Sequence, residues 1–195
     1  VLVNPYPIFP KHLTIPDTTH TEQCIEGRIH DMFELAQALP EFTIFYNGPR
    51  SGASAPDHMH FQAGSRGFMP IEHDWKERKG EKVVQQGDAT LWRMDDAPRN
   101  TLVIESTCID DAERLFNAVY RNLPTSAPGE EPMMNLLAMY EDERWILFLL
   151  LRRKHRPACY TAEGNERLLC SPASVDLGGV LILPIAEDFE KITDE

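Results

Sequence analysis

Apolar positions after Thr19 recur at helical intervals: Ile25, Ile29, Met32, Phe33 and Ala36 follow one another at three- and four-residue steps until Pro40. Thr19 and Glu22 have capping-box spacing, so the pattern predicts one helix from Thr19 to Pro40. A second helix is expected from about Asp110 to Leu123. Strand signals fill the intervals. Leu2 to Leu13 is apolar but carries Pro5, Pro7 and Pro10, which suits an edge strand. Phe42 to Tyr46 is short and aromatic, further strands are expected near Val83 to Met94 and Thr101 to Ser106, and Met134 to Leu151 has the pattern of a hairpin turning at Glu141-Asp142-Glu143. Glu72 to Lys82 reads as a solvated, charged stretch. Asp176 to Leu183 reads as a structural turn entering a buried strand, with a terminal helix from Glu187.

This mixture is an α+β chain. The Pro-rich connection Pro124 to Pro132 divides it into residues 1–123, which hold the candidate chemistry, and residues 124–195, a second part expected to pack on the same core. Apolar strands end in Lys11-His12 and again in Lys154-His155, a faint echo that would mark two related halves.

Composition narrows the function. With 195 residues, 42% hydrophobic and 26% charged, the chain can bury one sizeable core. Its longest apolar run, Trp145 to Leu151, is far short of a membrane span, so no membrane role is expected. A net charge of −12 repels polyanions and argues against nucleic-acid polymers as partners. Cys24, Cys108, Cys159 and Cys170 form no CxxC pair, and no signal peptide is evident; reduced thiols in the cytoplasm are the expectation.

The stretch Asn47-Gly48-Pro49-Arg50-Ser51-Gly52-Ala53-Ser54-Ala55-Pro56 joins Phe42–Tyr46 to His58-Met59-His60-Phe61-Gln62. On a strand, His58, His60 and Gln62 would share one face while Met59 and Phe61 anchor the other. An imidazole near neutrality can attack phosphorus and later leave, and the Gln62 amide can donate to phosphoryl oxygens. The small residues Gly52, Ser51 and Ser54 would let backbone amides approach a phosphate, with Arg50 as a nearby cation and Asn47 as a ribose ligand. In the basic run from Arg152 to Arg156, Lys154 or Arg156 would reach a polyphosphate. Taken alone, a His-x-His strand is as often a metal-ligand pair or a surface coincidence, and a Gly-Ser loop is usually only a turn.

The whole segment from Tyr46 to Gln62 resembles the active-site segment of the transferase branch of the histidine-triad superfamily, which includes galactose-1-phosphate uridylyltransferase, diadenosine tetraphosphate phosphorylase and GDP-galactose phosphorylase. The resemblance extends over almost the whole chain, including the Lys-His-Arg-Pro and Asp-Leu-Gly-Gly segments, and lies nearest an uncharacterised bacterial family beside those phosphorylases. It implies a histidine-triad-like antiparallel sheet with flanking helices. It also implies His60 as nucleophile, Gln62 as the phosphate-holding amide, and His58 as orienter, phosphate ligand or metal ligand. Gln62 stands where hydrolases of the superfamily carry a third histidine, which favours transfer over hydrolysis.

The expected substrate is a dinucleoside polyphosphate or nucleotide sugar, with phosphate or a sugar phosphate as acceptor. A hydrolase and a non-catalytic nucleotide- or metal-binding module are the rival readings. No cofactor is required by this chemistry. Zinc would enter through His58 and His20 only if a longer natural chain supplied the remaining ligands. The apolar first strand leaves a homodimer open.

Overall fold

A computed structural model describes residues 1–95 and 99–192. Among these residues, nine strands form one antiparallel sheet in the order β1-β2-β4-β3-β8-β9-β7-β6-β5. They are β1 (Leu2–Val3), β2 (His12–Pro16), β3 (Phe42–Asn47), β4 (His60–Ser65), β5 (Lys79–Gln86), β6 (Ala89–Met94), β7 (Thr101–Ser106), β8 (Met134–Glu141) and β9 (Arg144–Leu151). The helices are α1 (Ile29–Ala38), α2 (Ile71–Asp74), α3 (Ile109–Asn122), α4 (Ser174–Leu177) and α5 (Ala186–Lys191). No helix among the described residues is long and apolar enough to cross a membrane. The α+β antiparallel architecture is as the sequence implied.

The middle of the sheet is buried on both faces, which is why β3, β8 and β9 read as near-continuous apolar runs rather than alternating ones. Alternation still decides which face each side chain joins. Tyr46, Met59, Phe61, Leu136, Leu147 and Leu149 pack beneath α1 and α3, whereas Phe45, Leu137, Met139, Ile146 and Phe148 pack with Phe9, α2 and Val175 of α4 on the opposite face. The hairpin between β8 and β9 turns through Asp142 and Glu143, both at positive φ (50° and 60°), the backbone that a two-residue hairpin loop demands. Residues beyond 124 thus enter the centre of the sheet, β8 pairing with β3 and β9 with β7.

Four expectations change. The predicted single first strand is two, a two-residue edge β1 and β2, separated by a Pro-rich excursion. The helix predicted from Thr19 begins only at Ile29, because residues 21–23 run beside the motif instead: the Met59 amide donates to the Thr21 carbonyl (2.7 Å) and the Gln23 amide to Pro56 (3.0 Å). The charged stretch Glu72 to Lys82 is mostly exposed as expected, but its part from Trp75 to Lys82 is not merely a solvated turn. Trp75 is 2% exposed, Thr43 donates to the buried Glu72 carboxylate, and Lys79 opens β5 with its ammonium over the Trp92 ring. Finally, no strand follows Asp176 among the described residues; Asp176 lies in α4, and its carboxylate accepts the amides of Ala173 and Ile182 (both 2.8 Å).

Candidate active site

Strand β4 begins at His60, so His60 and Gln62 share a strand face as predicted, while His58 sits in the turn before it. That face is the one opposite α1, since Met59, Phe61 and Ala63 take the helix side. The start of β4 is clamped by Gln23, a buried side chain. Its amide NH2 donates to the carbonyls of Asn47 (3.0 Å) and His60 (3.1 Å), and its oxygen accepts the His60 N–H (2.8 Å). One side chain therefore joins the ends of β3 and β4 where the two strands diverge.

His60 is 7% exposed, and its Nδ1 lies 2.8 Å from the His58 carbonyl oxygen. A carbonyl only accepts, so Nδ1 carries the proton of the neutral ring and Nε2 holds the lone pair. Among the described residues, Nε2 makes no hydrogen bond. The strand geometry thus fixes the tautomer of this imidazole. By the same logic His58 carries its proton on Nε2, donated to the Asp17 carbonyl (3.0 Å). Asp17 is itself tied to Arg28 (2.6 Å), whose guanidinium holds the carboxyl below the usual range. Asp17, Arg28 and His60 border a cavity of about 310 Å³ at this end of the strand.

Gln62 lines a larger cleft of about 420 Å³. Its floor is the sheet, with Phe45, Asn47 and Gln62, and its rim includes Gly52 and Ser54 of the small-residue loop. The C-terminal segment closes it with Tyr160, Leu169, Ser171, Val175 and Ile182. This contribution of residues 160–184 was not legible in the sequence, where Asp176 to Leu183 reads only as structural. Loop and C-terminal segment touch closely: a Cβ on Gly52, whose φ is +103°, would lie 2.8 Å from the Ala173 Cβ. Both the backbone angle and the contact demand glycine there.

Several predicted ligands have internal partners. The Asn47 side-chain oxygen accepts from Asn135 Nδ2 (2.7 Å), the Ser174 amide (3.0 Å) and the Ser174 hydroxyl. Arg50 pairs with Glu130. The amides of Ser51 (2.8 Å) and Ala53 (3.3 Å) both donate to the Gly48 carbonyl, so these two loop N–H groups are spent on the turn. The Ser51 hydroxyl is buried without a hydrogen-bond partner. Lys154 does not reach the cleft; with Arg99 and Arg153 it lines a separate cavity of about 230 Å³. Arg156 stacks over Tyr160 (4.1 Å to the ring centre), which puts its charge beside the cleft wall.

Arg152 is a structural member of the basic run. It is half-buried and donates to the carbonyls of Ser51 (3.2 Å), Pro172 (2.6 Å) and His155 and to the side-chain oxygen of Asn135 (3.1 Å). It thereby fastens loop, sheet and C-terminal segment together.

His20 and His58 do meet, ring centres 4.9 Å apart, with Asp57 3.7 Å from His20. Among the described residues, however, no group of three or more His, Cys, Asp or Glu side chains is arranged to hold a metal ion, and all four cysteines are free.

Similarity to known proteins follows this geometry. The yeast Ap4A phosphorylase Apa2 superposes with a TM-score of 0.61 at 15% identity, over 97% of this chain and 67% of the yeast chain. The histidine-triad-like fold is therefore shared. The same enzyme in complex with AMP gives a TM-score of 0.63 at 19% identity, over 97% and 65% of the two chains, so this chain spans about two thirds of the yeast protein's length. A DUF4931 family protein from Bacillus cereus ATCC 10987 superposes with a TM-score of 0.58 at 21% identity, over 82% and 83% of the chains. The family described as a domain of unknown function, DUF4922, matches residues 1–65, which include the His-x-His-x-Gln motif. No curated protein matches.

Proposed function

We propose that this chain is a nucleotidyltransferase of the phosphorylase type, acting on a dinucleoside polyphosphate or nucleotide sugar. The observation that carries the proposal is the His60 Nδ1 bond to the His58 carbonyl, which leaves Nε2 without a partner among the described residues, on a strand face that alternation assigns to Gln62 as well. The shared fold with an Ap4A phosphorylase, one structure of which holds AMP, supports a nucleotide as substrate.

In the first step the Nε2 lone pair forms a bond to the α-phosphorus, and the bond from that phosphorus to the bridging oxygen breaks. The leaving nucleotide or sugar phosphate departs with the electron pair. The ring becomes cationic, and the Nδ1–H···O=C bond strengthens as it does. The Gln62 NH2 donates to a non-bridging oxygen whose charge grows in the transition state. In the second step an oxygen of phosphate or a sugar phosphate attacks the same phosphorus, and His60 leaves as neutral imidazole. Kinetics are then ping-pong.

The test is intact mass spectrometry at neutral to basic pH, where phosphorus–imidazole bonds survive, after mixing the protein with a panel of dinucleoside polyphosphates and nucleotide sugars. A nucleotidyl increment on the wild type and none on His60→Ala is the expected result. No increment with any donor overturns the reading. Turnover that depends on added phosphate or sugar phosphate identifies a transferase; turnover in water alone identifies a hydrolase.

A further inference from the structure

Strand β2 pairs with β4 so that His12 stands opposite Gly64 and Thr14 opposite Gln62, which brings His12 and Gln62 to the same face one step apart. His12 is 4% exposed and approaches Gln62 directly, Nε2 to Oε1, at 2.8 Å. Its other nitrogen has a partner that settles the tautomer. The Ile8 backbone N–H points at Nδ1 (3.2 Å), and an N–H can only donate. Nδ1 is thus the acceptor, Nε2 carries the proton, and Nε2–H donates to the Gln62 oxygen. Asn4 adds a second donor to that oxygen (3.3 Å) while also holding Thr14 Oγ1 (3.1 Å). With both donors on one side, reversing the Gln62 amide would set N–H against N–H. The amide NH2 is left facing the cleft that Gln62 lines.

We propose that His12 is a positioning residue of this site: it fixes the Gln62 amide so that its NH2, and not its oxygen, meets the phosphoryl group. This rests on the nucleotidyl-transfer reading above. An amide oxygen turned toward the phosphorus would repel the non-bridging oxygens, so the orientation matters as much as the presence of Gln62. The groups packed on His12 are Asn4, Ile8 and Phe9 from the N-terminal segment, Phe45 from β3 and Gln62 from β4. None of them ionises. Burial pulls the His12 pKa down, with the Gln62 bond acting in the opposite sense, so the ring stays neutral and the relay intact. The Ile8 side chain borders the same cleft, and occupancy there and the His12 relay therefore bear on one segment.

The experiment has two arms on the full chain. In the first, long-range ¹H–¹⁵N spectra read the His12 tautomer, and the Gln62 side-chain NH2 resonances are compared between wild type and His12→Phe. Nε2–H in the wild type, with displaced Gln62 resonances in the variant, is expected. An Nδ1–H ring or unmoved Gln62 resonances overturns the proposal. This arm needs no activity, so it stands even if the wild type forms no nucleotidyl adduct and the functional reading itself falls.

In the second arm, single-turnover adduct formation with diadenosine tetraphosphate is followed in wild type, His12→Phe, Gln62→Ala and the double variant. His12→Phe slows the step about tenfold to hundredfold. His12→Gln, whose amide NH2 can replace Nε2–H, restores it to within about threefold of wild type by the same estimate. In the Gln62→Ala background, removal of His12 changes nothing further. Multiplicative losses in the double variant would show that His12 acts otherwise than through Gln62 and would overturn the proposal.

Discussion

Gly64 is the position where a single methyl group tests the packing behind the site. It lies opposite His12, and a Cβ built there would stand 2.6 Å from three ring carbons of Phe9. Carbon atoms in contact rest at about 3.5–4.0 Å, so the ring must move by about 1 Å. Phe9 has little room to do so: it is 3% exposed and packed against His12, Phe45 and Phe68, with ring centres 5.3, 5.6 and 4.8 Å away. Overpacking of this kind costs about 1–3 kcal/mol. The smaller conformational freedom of alanine in the unfolded chain returns about 0.4–1 kcal/mol, leaving a net loss of about 1–2 kcal/mol for Gly64→Ala.

At about 2–4 °C per kcal/mol for a chain of this size, the melting temperature falls by roughly 2–8 °C. Phe9→Ala alone costs about 3–5 kcal/mol through lost burial and a cavity. In the double variant the new methyl enters the space the ring vacated, so the combined loss falls short of the sum by about 1–3 kcal/mol. Urea denaturation of the four proteins closes the cycle. Strict additivity, or a Gly64→Ala protein at least as stable as wild type, would refute the contact.

Arg152→Lys destabilises by about 2–4 kcal/mol in urea unfolding, because one ammonium cannot reproduce a guanidinium fork that serves four acceptors on three segments; a loss under about 0.5 kcal/mol, the range of ordinary surface changes, would show the fork to be dispensable. Acid weakens the fold below about pH 6.5 in part through His12: its folded pKa is lowered, chiefly by burial, so its contribution is complete above the unfolded value and is lost as pH falls through the folded one. His155, lowered by burial and by the charges of Arg156 and Arg152, acts in the same direction, whereas His30, raised by its bond to Glu113, contributes at low pH and loses that contribution as pH rises. Denaturation midpoints at pH 5, 6, 7 and 8 check this, with a shallower acid slope expected for His12→Gln and an unchanged slope counting against it.

What the sequence by itself determined were features that depend on local periodicity. The β8–β9 hairpin, α3, the strand containing His60 and Gln62, and the core-facing role of Met59 and Phe61 all follow from alternation, helical spacing or turn residues within a short window. Tertiary structure decided where distant segments compete for the same backbone groups. Thr19 to Arg28 has helix-start chemistry, yet Thr21 and Gln23 are bonded to Met59, Asn47 and His60, and that partnership outweighs a local cap.

What Gln23, His12 and Arg152 do was not legible, because it is set in part by partners far off in the chain, up to 101 positions away. The motif supplies an imidazole and an amide. Which nitrogen of His60 is free, and which end of the Gln62 amide meets the cleft, depend on the His58 carbonyl and on His12 across a strand pairing. Side-chain identity is written in the sequence; a tautomer or an amide orientation exists only once folding has brought a donor or an acceptor to face it.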